Sequence, residues 1–168
     1  MKRKFPIVII ILIAVIACCF IGIYIFIDIK FGWQIWISRR IEILVPFSAE
    51  LEYEDSHGGF HGDGECIVKV FFSEEQAKNF TEKIENNNHW KKLPMPERLQ
   101  NCVSVYTEEG KNMPIIENGY WFYLDRNSEA DNKYDENERY EEKRWSRNYS
   151  VAVFDSDENI LYYYELDT

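Results

Sequence analysis

A chain of 168 residues with 29 acidic and 19 basic side chains, net charge −10, has the wrong sign for holding nucleic acid or anionic lipid through its surface. Residues 1–45 carry six basic and two acidic side chains, so the remainder stands at −14. Aromatic residues at 16% exclude a simple disordered polar tail, and the roughly 120 residues beyond the apolar start suffice for one domain with its own core.

The chain opens on a basic tail, residues 1–4, followed by 23 residues without a charge, Phe5 to Ile27. As a helix this run measures roughly 34 Å at about 1.5 Å per residue, against a hydrocarbon core of about 30 Å. A transmembrane helix over 5–27 is expected, too long for a cleaved signal peptide. Val15-Ile16-Ala17-Cys18 also fits a bacterial lipobox, in which Cys18 would be lipidated; the residues after it stay apolar, which favours an uncleaved anchor. Either way the lipid bilayer is a partner. Lys2, Arg3 and Lys4 abut the segment, whereas Arg39 and Arg40 lie a dozen residues beyond it, so the N-terminus is placed inside and the domain outside the cytoplasm.

Residues 28–47 are too mixed to span. Trp33, Ile37, Ile41 and Leu44 fall near one helical face, with Trp33 and Trp36 where indoles prefer the headgroup level. The segment reads as an interfacial helix or a continuation of the first helix, stopped at Pro46; packing onto the domain is the other reading.

From residue 48 to 168 an acidic extracytoplasmic domain is expected. Ala49, Leu51 and Tyr53 alternate with Glu50, Glu52 and Glu54, the period of a half-buried strand. Cys66 to Phe72 reads as a second strand, paired with the first in a hairpin. Ser73 to Gln76 forms a capping-box pattern, and Ala77, Phe80 and Ile84 recur at helical spacing up to Asn86. Cys102 to Tyr106 reads as a short strand. Asn118-Gly119 signals a turn into an aromatic strand, Tyr120 to Leu124. Residues 125–147 read as a polar excursion with a helical turn or two near Glu136–Arg144. Tyr149–Phe154 and Ile160–Leu166 read as closing strands joined at Asp155–Asn159. This turn lacks the glycine and glutamate of a calcium loop, having Ile160 and Leu166 instead. The sum is an α+β domain: a mostly antiparallel sheet and one main amphipathic helix.

The candidate site residues cluster in His57-Gly58-Gly59-Phe60-His61-Gly62-Asp63-Gly64. His57, His61 and Asp63 offer a donor set suited to a transition metal. Phe60 with His57, His61 and Asp63 could instead present to a partner, and the glycines and aspartates also suit a plain hairpin tip. Trp121 and Tyr123 join the binding candidates because one face of the aromatic strands could be exposed. Cys66 and Cys102 could pair, but two cysteines make no framework. There is no nucleophile elbow, phosphate loop or dinucleotide fingerprint, so no catalytic residue or cofactor is named.

The motifs HGGFHGDG, IENGYWFYLDRNS and LYYYELDT resemble those of a group of small Gram-positive proteins with an N-terminal anchor or lipobox and no known activity. The resemblance covers most of residues 53–168 and implies a shared fold without functional residues to carry over. Two functions from different classes follow. One is a membrane-anchored binding module, immunity-type or accessory to a basic secreted protein, that captures its partner on the acidic face. The other is a metal-dependent enzyme or metal sensor using His57, His61 and Asp63.

Overall fold

The computed structural model describes residues 5–58, 62–104, 114–127, 130–137 and 146–168. Helix α1, Phe5–Ile41, runs unbroken through the apolar segment and beyond it. It is long and apolar enough to cross a membrane, and none of the apolar stretch is buried within the protein. The apolar run of the sequence thus becomes the first part of a longer helix.

The helix ends at Ile41, not at Pro46. Glu42 takes a left-handed backbone angle (φ 60°), and the Ser38 hydroxyl accepts the Val45 amide at 2.8 Å, turning the chain back. Leu44 consequently leaves the expected apolar face and is exposed, while Ile37, Ile41, Ile43 and Val45 enter the core. Full burial of each such side chain contributes roughly 1.5–3 kcal/mol. Residues 28–47 therefore do not lie apart from the domain; their second half is built into it.

Six strands form one sheet in the order β1-β2-β6-β5-β4-β3, all neighbours antiparallel. They are β1 Glu50–Asp55, β2 Gly64–Phe71, β3 Lys91–Lys92, β4 Gly119–Asp125, β5 Tyr149–Asp155 and β6 Ile160–Asp167. The fold is α+β as expected, with the β1–β2 and β5–β6 hairpins at the expected places in the chain. Gly119 opens β4 at φ 150°, where a Cβ would come within 1.9 Å of the Phe154 carbonyl oxygen, so only glycine fits there.

Helix α2, Glu74–Glu85, has the expected capping box: the Gln76 amide donates to Ser73 Oγ and the Ser73 amide to Gln76 Oε1. Its Ala77, Phe80 and Ile84 join the end of α1 over one sheet face, which carries Val68, Val70, Phe122, Phe154, Leu161 and Tyr163. The segment expected as a strand at Cys102–Tyr106 is different. A third helix, α3, spans Glu97–Ser104, and residues 105–113 lie outside the described ones. Leu99 and Val103 stand one turn apart and bury against the opposite sheet face, on Trp121, Tyr123, Val151, Val153 and Tyr164. A β-branched alternation at Val103 and Val105 mimics a strand; contact with the sheet decides for the helix. The polar excursion after β4 begins inside the protein, since Asp125 and Asn127 are buried, and its expected helical turns fall mostly outside the described residues.

Helix α1 crosses the strands instead of lying along one of them. Phe31 meets Phe47 just before β1, Trp33 meets Tyr53 of β1, and Trp36 meets Tyr163 of β6. Further along, Arg40 reaches Glu165 of β6, and the Ile41 carbonyl accepts from the Trp90 indole just before β3. The β1 edge thus lies toward the apolar half of α1, and the β3 edge lies away from it.

Candidate functional site

Strand register builds the site. Asp55 pairs with Cys66, Cys66 with Glu165, and Glu165 with Ser150, so these four lie in one row across the α1-facing side of the sheet. The neighbouring row, Tyr53, Val68, Tyr163, Ala152 and Phe122, is apolar apart from its hydroxyls. Asp167 follows Glu165 by two residues and shares its face.

This polar row is buried and needs charge compensation. Glu165, only 2% exposed, receives Arg126 Nη1 at 3.1 Å and Arg40 Nε at 3.5 Å. Ser150 Oγ donates to it at 3.0 Å, and the Tyr163 hydroxyl lies against both. Arg126 Nη2 reaches Asp167 at 2.8 Å and the Leu166 carbonyl at 3.0 Å. Burial, then the nearby Glu165 charge, pushes the Tyr163 hydroxyl well above its ordinary range. Ser150, Tyr163 and Glu165 resemble a reactive trio in composition, but the Ser150 and Tyr163 residues are both 0% exposed, so no substrate touches them in this arrangement.

The open side of the network is a cleft of about 550 Å³ between α1 and the sheet. The helix contributes Asp28, Gly32, Trp33, Trp36 and Arg40; the sheet side contributes Asp55, His57, Cys66, Glu165 and Asp167. The Trp33 and Trp36 indoles meet edge to face at 5.3 Å, and the Arg40 guanidinium lies 5.6 Å from the Trp36 ring centroid. Four carboxylates line the cleft; among the described residues Arg40 binds Glu165, and Arg126, behind the wall, binds both Glu165 and Asp167. Asp28 has no hydrogen bond or ion pair among the described residues. Burial, followed by the charges of Asp55 and Glu165, pushes the Cys66 thiol up to about 12, so it is no nucleophile at neutral pH. It is also unpaired as a free thiol.

Of the residues singled out in the glycine-histidine motif, His57 reaches the cleft. Asp55 Oδ1 accepts the His57 amide at 3.0 Å and contacts its Nδ1 at 2.6 Å; Nε2 lies 3.2 Å from Asp167. Gly64 is tight against it, because a Cβ there would stand 2.6 Å from His57 Cα. Phe60 and His61 lie outside the described residues, and Asp63 is exposed away from the cleft lining. Both ring nitrogens of His57 lie near carboxylates, Nδ1 by Asp55 and Nε2 by Asp167, which holds the ring between β1 and β6. Among the described residues no group of three or more His, Cys, Asp and Glu side chains is placed to hold a metal ion.

Trp121 and Tyr123 are not on an exposed aromatic face. They are 3% and 1% exposed in the second core, where the Trp121 indole donates to the Lys92 carbonyl. Helix α3, in place of the strand expected at Cys102–Tyr106, supplies the cover. Cys18 lies exposed within unbroken α1. Asp28, Arg40, Arg126, Glu165 and Asp167 are not among the site residues expected from the sequence. One signal was present: period two along β6 puts Tyr163, Glu165 and Asp167 on the same side.

No family model, curated protein or solved structure matches the chain, so the likeness to small anchored Gram-positive proteins rests on its motifs alone.

Proposed function

We propose that this chain is a membrane-anchored, extracytoplasmic binding module that holds a cationic group in the cleft between α1 and the sheet. The observation that carries the reading is the lining: carboxylates of Asp28, Asp55 and Asp167 beside the paired indoles of Trp33 and Trp36. Carboxylates attract a cation over distance, and indole faces bind it at contact. The −14 charge of residues 46–168 supports the same sign of ligand, whether it comes from a basic secreted protein or from an amine at the membrane. Sealing of Ser150 and Tyr163 from solvent supports binding over catalysis.

The full chain in an uncharged maltoside detergent tests this. A lysine-rich peptide is expected to bind, and Asp28→Asn with Asp55→Asn is expected to weaken it about tenfold. A glutamate-rich peptide binding equally well would refute the reading. Trypsin added to intact cells is expected to cleave the domain; protection until lysis would reverse the orientation.

A further inference from the structure

We infer that the cleft is a lipid-headgroup site, taking the ammonium of an amine-bearing phospholipid in the leaflet that α1 leaves. This rests on the binding reading above and names its ligand.

The height of the cleft along α1 points to lipid. If the uncharged run ending at Ile27 fills the hydrocarbon core, Asp28, Ile29 and Gly32 fall within the next ~8 Å of helix. The headgroup layer is about 5–8 Å thick on each side. The lower wall of the cleft therefore stands among the headgroups and not above them. Trp33 lies about 9 Å beyond Ile27, at the boundary where indoles prefer to sit.

The β1 side of the domain stands at the same level of α1. Phe47, Tyr53 and the β1 edge contact α1 at Phe31 and Trp33, so the sheet stands with β1 nearest the lipid. Phe47 and Ile29 are exposed large apolar side chains at this level. A soluble ligand entering here must displace headgroups, whereas a lipid enters laterally with its chains still in the core.

The chemistry selects the headgroup. Asp28 has no partner among the described residues, and it shares the cleft lining with the carboxylates of Asp55 and Asp167 and the indoles of Trp33 and Trp36. Phosphatidylglycerol brings only negative charge to this lining. An ethanolamine headgroup brings an ammonium that forms charge-assisted hydrogen bonds to the carboxylates. A basic protein segment is the competing source of the same cation.

The experiment incorporates the full chain into nanodiscs of equal phosphatidylethanolamine and phosphatidylglycerol, releases it in mild detergent and identifies retained lipids by native mass spectrometry. Phosphatidylethanolamine is expected to be retained about tenfold over phosphatidylglycerol. Asp28→Asn, on the exposed part of α1, is expected to erase most of that preference. Gly32→Leu is the second variant: a Cβ at Gly32 meets nothing closer than Asp28 Oδ1 at 3.7 Å, so a larger side chain fits the helix and fills the cleft. It is expected to remove the retained lipid while the domain's melting temperature holds. Equal retention of the two lipids, or a preference unchanged in both variants, overturns the inference. If the lysine-rich peptide still binds in detergent in that case, the binding reading stands with a protein as its source. If neither binds, both fail.

Discussion

The two ends of α1 obey opposite rules within one unbroken helix. From Val8 to Lys30 every described side chain is exposed, and up to Ile27 the large ones are aliphatic or aromatic. From Trp33 to Ile41 the helix has a buried side, Ile37 and Ile41 at 0%, and an exposed one, Arg39. A helix apolar all round needs an apolar solvent; a helix with one apolar stripe needs a protein to cover it. The change falls between Asp28 and Trp33, and the cleft opens at that change. The surroundings of the helix, not the helix itself, mark where one solvent ends.

The sharpest way to break this comparison is a charge on the buried stripe. Ile41→Asp is expected to unfold the domain, since an unpaired carboxylate in the core costs several kcal/mol. Limited proteolysis of the detergent-solubilised chain reads this directly, and survival of the resistant fragment would mean that α1 is not part of the core. A finer contrast pairs Ile37→Ala with Ile21→Ala. The first is expected to cost ~2–5 kcal/mol in thermal or denaturant unfolding. The second removes a methyl-rich group that touches only the surrounding solvent, and the domain is expected to unfold within about 0.5 kcal/mol of the parent. Equal effects would erase the distinction between the two ends.

Smaller effects are expected away from α1. Ser73→Ala removes one half of the capping box on α2 and is expected to cost about 1 kcal/mol, measured as a shift in denaturant midpoint. At the helix end, Glu42 accepts from the Tyr134 hydroxyl and contacts His89 Nδ1 at 2.7 Å. Burial raises the Glu42 pKa, but hydrogen bonds from Tyr134, His89 and Asn87, with the His89 charge, outweigh it and bring the group below its ordinary 4.5. A lowered carboxyl pKa stabilises the fold above the unfolded value, and that contribution fades as pH falls through the folded one. Between about pH 5 and about pH 3 the parent is therefore expected to lose more melting temperature than Glu42→Gln. Parallel pH profiles would remove Glu42 from the account.

Composition and periodicity by themselves determined the apolar run of α1, the β1–β2 and β5–β6 hairpins, the aromatic strand β4 and the capped helix α2. Each of these is local: a run of charge-free residues, a period of two, or a hydroxyl three residues from an amide acceptor. Tertiary structure alone decided that Ile37, Ile41, Ile43 and Val45 belong to the core, that Cys102 lies on a helix, and that Trp121 and Tyr123 are covered. It also assembled the cleft, because Asp28, Asp55, His57, Glu165 and Asp167 come from opposite ends of the chain and meet only when β6 inserts between β2 and β5. Side-chain chemistry is written in the sequence, but which carboxylates face one another is set by strand order and by the angle at which one helix crosses the sheet.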